Sequence, residues 1–179
     1  MDSYKIRING DYMFEIGSYV SYRADGVCKI ADIRQESFGV LAEPTLYYVL
    51  HPVHDEKSIF FIPVNNQMLV AKMRPLLSAE EIISLIKKVA ERPLEWIPEA
   101  KPRANFFKNI LSEGEREELV YLVRLLKVHT ETTVAQGKKI YATDDSAAKR
   151  AAQLLFAEFS MEFPIESPND IPAFIESVL

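Results

Sequence analysis

The run Phe14-Glu15-Ile16-Gly17-Ser18-Tyr19-Val20-Ser21-Tyr22 decides how the chain begins to fold. Phe14, Ile16, Val20 and Tyr22 stand at even spacing, which puts apolar side chains on one face of a strand. Asp25-Gly26 follows at once. Glycine accepts positive φ at little cost, so this pair predicts a tight type I′ hairpin. Working outward, residues 27–33, 46–53, 58–64 and 68–73 repeat the β-rich pattern between turn signals. Five short strands with tight connections point to a small, strongly bent barrel. Its longest break is the loop 35–44.

After Pro75 the apolar period becomes helical. Ser78-Ala79-Glu80-Glu81 reads as a capping box, and Ile82, Ile83, Leu85, Ile86 and Val89 form a stripe that Pro93 stops. A second helix is expected over 103–111. Ser112-Glu113-Gly114-Glu115 reads as another capping box, opening a helix that buries Leu119, Val120, Leu122, Val123 and Leu126. Asp144 or Asp145 is expected to cap an Ala-rich helix reaching about Phe159, and Asp170 to cap a last short one. The fold class is therefore α+β, with the β part first.

Composition narrows the function. The chain has 179 residues, a net charge of −5 and 48% hydrophobic residues, enough for one large or two small folded domains. No apolar run approaches the ~18 residues of a membrane span, and the N-terminus lacks the apolar core of a secretory signal. A cytoplasmic protein is expected. Cys28 is the single cysteine, which excludes an intramolecular disulfide and a Cys-rich metal site. The negative charge argues against nucleic acid. Yet residues 155–179 carry five acidic side chains and no basic one, so a slightly basic stretch at 97–154 is hidden in the total.

An enzyme needs convergent polar groups, and none of the phosphate-loop, nucleophile-elbow or zinc-helix motifs is present. His51 and His54 are three apart beside a strand, hence on opposite faces, and joint metal ligation is not expected. Cys28, between Val27 and Ile30, reads as a small buried thiol. His129 reads as support for the end of the preceding helix. No enzyme, metal or cofactor is expected. The informative residue is Trp96, the only tryptophan, in Pro93-Leu94-Glu95-Trp96-Ile97-Pro98. One reading packs it into the helical core. The other makes it an aromatic wedge beside the basic Lys101, Arg103 and Lys108, as minor-groove and fork-binding proteins use. Composition does not choose between them.

Taken in order, these segments form a series. It runs from Phe14–Tyr22 with Gly26-Val27, through Tyr47-Tyr48-Val49-Leu50 and Ile62-Pro63-Val64, to Met73-Arg74-Pro75-Leu76. Trp96, Arg103-Ala104-Asn105, Leu111-Ser112-Glu113-Gly114, the helix 120–126 with Arg124, and the helix 151–159 follow. Over roughly residues 13–160 the series resembles the CarD/CdnL family of bacterial transcription regulators.

The resemblance implies a Tudor-like or SH3-like five-stranded barrel at 13–75 that docks on the β subunit of RNA polymerase. It implies a helical domain at 76–162 that contacts promoter DNA at the upstream edge of the melted bubble and stabilises the open complex. Residues 163–179 would be an acidic tail with a short helix. Residues 1–12 would be a leader ahead of a natural start at Met13. Trp96 maps on the family's minor-groove wedge, Lys101 and Arg103 on the basic cluster after it, and Lys149 and Arg150 on a helix that faces the DNA backbone. Phe60 and Phe61 stand where the family often has basic residues, and an aromatic edge can pair with a polymerase strand by β-augmentation. Arg34 is the remaining charged candidate for that interface. The alternative from another class is a protein–protein adaptor on polymerase without DNA contact. A monomer is expected, with strand exchange through sheet edges as the route to a dimer.

Overall fold

Alternating apolar residues build the first half of the molecule. The computed structural model describes residues 14–39, 43–55 and 57–179; the expected leader at 1–12 and start at Met13 lie outside the described residues. The chain divides into two units, one up to Leu76 and one from Leu77. The first holds an antiparallel sheet of β1 (Tyr19–Tyr22), β2 (Gly26–Glu36), β3 (Thr45–Pro52), β4 (Phe60–Pro63) and β5 (Met73–Pro75), in the order β4-β3-β2-β1-β5. Inward residues meet across the ladder. Val20 faces Cys28, Ile30 faces Leu50, Leu50 faces Phe60, and Tyr48 faces both Ile33 and Ile62. Three apart on a regular strand, Ile30 and Ile33 would point to opposite sides. A bulge between Ile30 and Asp32 adds the residue that brings both to the same core.

Three expectations are corrected here. Among the described residues the barrel does not close, and β4 and β5 are the two edges of an open sheet. The segment 68–73 is not one strand. The Asn66 side chain accepts the Leu69 N–H at 3.2 Å and starts a one-turn helix, α1 (Gln67–Val70), which leaves only three residues for β5. The hairpin at Asp25-Gly26 is not a two-residue turn. Arg23–Asp25 form a 3₁₀ turn, with positive φ at Arg23 (48°) as well as at Gly26 (76°). Finally, β1 starts at Tyr19 rather than at Phe14. Gly17 sits at φ 91°, and this break leaves Ile16 exposed.

Cys28 lies wholly inside this sheet. Burial, helped by the nearby Asp25 carboxylate, pushes its thiol up to about 12. Thiolate is the reactive form, so native protein at pH 8 is expected to resist a thiol reagent, with one equivalent reacting after denaturation. Rapid labelling of folded protein would contradict this placement.

The second unit is helical. In α2 (Ala79–Ala90) the Ser78 box is complete: Ser78 Oγ accepts the Glu81 N–H at 3.3 Å, and a Glu81 carboxylate oxygen accepts the Ser78 N–H at 2.8 Å. At its other end a terminal carbonyl, that of Val89, accepts a bond from the Arg124 guanidinium at 2.9 Å. α3 (Ala100–Glu113) begins earlier than expected and stops where Gly114 takes a left-handed conformation (φ 66°). The second capping box is therefore absent. Ser112 Oγ donates back to the Asn109 carbonyl inside α3, and α4 (Arg116–Ala135) starts without a side-chain cap. His129 lies within α4, whose end is at Ala135.

α5 (Ala142–Phe159) starts ahead of Asp144, which is buried within the first turn and is not a cap. Asp170 closes a turn instead, accepting from the backbone N–H and hydroxyl of Ser167 at 2.9 and 2.8 Å. The last helix, α6 (Ile171–Val178), is not a loose tail. Ile171 and Ile175 have no exposed surface and join Ile82, Ile86, Leu122 and Phe159 in one core. Among the described residues no helix is long and apolar enough to cross a membrane.

Candidate polymerase and nucleic-acid interfaces

On the outer face of the sheet, Arg34 of β2 stands opposite Tyr47 of β3, and Phe61 of β4 stands opposite Val49. Phe38, beyond the end of β2 and 57% exposed, packs edge-on against both Tyr47 (5.3 Å between ring centres) and Phe61 (4.9 Å). The Arg34 guanidinium lies 5.8 Å from the Phe61 ring centre and also bonds Glu36 at 2.6 Å and Asp32 at 3.3 Å. The patch is thus aromatic, and its one cation is matched by carboxylates two residues away on the same face. Phe60 does not belong to it. Neighbouring residues alternate across a strand, so Phe60 turns inward and packs on Tyr22 in the sheet core. Phe38 was not singled out from the sequence, and Tyr47 only as part of the strand 47–50. Tyr47 becomes visible only once the register with Arg34 is fixed.

In the helical unit, Trp96 lies in the connector between α2 and α3. It is half-buried and packs against the core. The His129 ring stacks on it at 3.4 Å between centres and 11° between planes. Phe107 approaches at 6.3 Å, and the Arg103 guanidinium carbon lies 4.7 Å from the indole centre. Tyr121 also holds the connector: its hydroxyl accepts the Glu95 N–H at 3.0 Å, while Arg92 lies over its ring at 4.3 Å. Of the two readings of Trp96 drawn from the sequence, packing against the helical core is the one this arrangement fits, although only half the side chain is covered. The indole is half-covered, in a box formed by His129, Phe107 and Arg103.

The basic residues separate into three kinds. Arg103 is 3% exposed, so it does not present its charge at the surface as the expected DNA-facing cluster requires. Its Nε donates to Asp144 at 3.1 Å, and Nη1 donates to the Ile97 and Pro98 carbonyls at 3.0 and 2.9 Å. Lys101 and Lys108 are exposed on α3. Lys149 and Arg150 are exposed on α5, where Lys149 pairs with Asp145 at 2.7 Å and Arg150 bonds Gln153 at 3.2 Å. Lys108 stands on the rim of a groove of about 600 Å³ between α3 and α5, floored by Phe107, Leu111 and Ala147 and flanked by Thr143 and Ser146. Among the described residues no three His, Cys, Asp or Glu side chains gather as metal ligands.

His129 and Asp144 were not among the site residues expected from the sequence. Burial first, and then the Arg103 charge, lower the His129 pKa below the usual 6.5, against an opposing pull from Asp144. The folded state therefore favours neutral imidazole, and the unfolded chain takes up the proton first. The stability this group contributes is present above pH 6.5 and is lost as pH falls through the lower folded value. Because His129 stacks on the only tryptophan, Trp96 fluorescence should titrate with a midpoint below 6.5, and His129→Gln should abolish that step. A midpoint above 6.5 would reverse the sign.

Residues 14–77 match the family model of the CarD-like/TRCF RID domain. The sheet unit is thus similar to a family of RNA polymerase β-interacting domains, and the match ends where the helical unit begins. No curated protein matches the chain closely enough to add to this assignment.

Proposed function

We propose that this protein is a transcription regulator that docks on the β subunit of RNA polymerase and stabilises the promoter open complex. The observation that carries the reading is the family match at residues 14–77, together with an aromatic patch beside the open β4 edge. An edge with no neighbouring strand among the described residues offers main-chain hydrogen bonds to a strand of the partner, and Phe38, Tyr47 and Phe61 offer rigid apolar contacts next to it. Phe61, with Arg34 beside it, is the residue of the expected set that this reading keeps at the surface; Phe60 supports the core.

The helical unit then works at the upstream fork of the bubble, at cytoplasmic promoters. Lys101, Lys108, Lys149 and Arg150 supply phosphate contacts, and Trp96 supplies the aromatic one after leaving its box. Docking on polymerase raises the local concentration near the fork, so weak DNA affinity suffices despite the net charge of −5. Binding the open complex better than the closed one shifts the equilibrium by about 1.4 kcal/mol per tenfold difference in affinity.

The half-buried Trp96 and the inward Arg103 favour the second reading, an adaptor that brings another protein to polymerase without touching DNA. Trp96→Ala decides between them. In the DNA reading it costs roughly 1–3 kcal/mol of open-complex stabilisation, the loss of one stacking contact, and so shortens the lifetime of the open complex. Capture of the β subunit stays unchanged, because that surface lies on the sheet. Half-burial limits the cost in folding stability to less than the about 3–5 kcal/mol of a fully buried aromatic. An unaltered open-complex lifetime in a folded variant would leave the adaptor.

A further inference from the structure

We infer that Arg103 is the positioning residue of Trp96: anchored on Asp144, it fixes the connector between α2 and α3 and holds the indole against His129. The inference deepens the reading of Trp96 as the DNA-contacting side chain and rests on it for its purpose, although its geometry is tested without DNA.

The sequence alone does not fix this connector. Pro93 and Pro98 keep it out of both helices but do not set its direction. The direction comes from side chains elsewhere. Ahead of Trp96, the Glu95 N–H is held by the Tyr121 hydroxyl. Behind it, the carbonyls of Ile97 and Pro98 both accept from Arg103 Nη1. The same guanidinium lies over the indole, while its Nε bonds Asp144. A carboxylate, two carbonyls and an aromatic face are thus served at once by one planar fork. A lysine ammonium is a point charge on a flexible stem and cannot reproduce that combination.

Stability is a poor explanation for the pair. Arg103 and Asp144 are each 3% exposed, and Asp144 Oδ2 is buried without a hydrogen-bond partner among the described residues. A buried pair left incompletely satisfied contributes little that well-packed apolar residues would not. What apolar residues could not supply is the hold on the Ile97 and Pro98 carbonyls and on the ring. This pair also explains why α5 begins ahead of Asp144. The carboxylate is spent on Arg103 rather than on the helix end.

The test uses the full-length protein, in which Trp96 is the sole tryptophan and its emission reports the box directly. Arg103→Lys keeps a charge for Asp144 but loses the fork. Arg103→Met/Asp144→Leu replaces the pair by apolar side chains of similar size. Emission maximum, acrylamide quenching, thermal melting and affinity for a fork DNA are measured for each. The expected result is a cooperative melt in both variants, red-shifted emission, a several-fold rise in quenching and weaker fork binding. Wild-type emission and quenching in either folded variant would overturn the inference. So would rescue of the wild-type spectrum by Lys, since a bare ion pair would then suffice. Unfolding of both variants would overturn it as well, making the pair a determinant of the whole unit. If the fluorescence changes while fork binding does not, positioning stands and the DNA reading of Trp96 falls.

Discussion

Deleting residues 163–179 is expected to abolish the cooperative melt of the helical unit. The segment carries three acidic side chains and no basic one, yet its apolar residues are the ones that fold. Ile171 and Ile175 are completely buried, and Phe163, Ile165, Phe174 and Val178 pack against the same core. Phe174 meets Phe163 at 4.8 Å and Phe159 at 6.1 Å between ring centres. Burying two isoleucines contributes about 3–6 kcal/mol, an upper estimate on an extended-chain reference. A domain of this size has only about 5–15 kcal/mol in total. Removing α6 also uncovers the sides of α2, α4 and α5 it packs against, Phe159 among them, so the deletion should exceed what the unit can lose. Circular dichroism during heating checks this. A sharp melt within a few degrees of wild type would mean that the segment is a tail after all.

Glu158→Ala should be the most damaging single substitution of a polar residue, at about 3–5 kcal/mol, the usual cost of removing one partner of a buried ion pair. Glu158 is 3% exposed near the end of α5 and ties together distant parts of the helical unit. It accepts the Leu77 N–H at 3.0 Å, where the unit begins, and bonds the Arg116 guanidinium at 2.9 and 2.7 Å, where α4 begins. Glu158→Gln keeps an acceptor for Leu77 and should cost clearly less. Chemical denaturation of the three proteins separates the contributions. Equal losses in Ala and Gln would assign the whole effect to charge.

The parts of this fold that could be read from the sequence are those governed by local chemistry. The Ser78 box, the stripe of α2 and the inward ladder through Val20, Cys28 and Leu50 follow from side-chain period and capping alone. The misreadings have two physical causes, a partner remote in sequence in one case and a competing local signal in the other two. Asp144 looks like a cap until Arg103, 41 residues away, claims its carboxylate. Ser112 looks like a cap until Gly114 turns left-handed and ends α3 behind it. Residues 68–73 have strand composition, but Asn66 supplies a helix start that the apolar pattern hides. For the candidate sites, residue types were legible while orientation was not. Phe60 and Phe61 are indistinguishable by composition and face opposite ways once β4 pairs with β3.

The order β4-β3-β2-β1-β5 also has a kinetic meaning. Three of the four pairings join strands that are consecutive along the chain, whereas β5 returns to β1, with Met73 opposite Tyr22 about fifty residues earlier. Closing a longer loop costs more chain entropy, about 0.6 kcal/mol for each doubling of length. The β1–β5 contact is therefore the last to be rewarded as the sheet forms, and contacts absent from the transition state govern escape from the native state more than arrival at it. Three residues, Met73–Pro75, thus serve as a latch: how quickly the sheet assembles is decided by its hairpins, and how long it endures by its shortest strand.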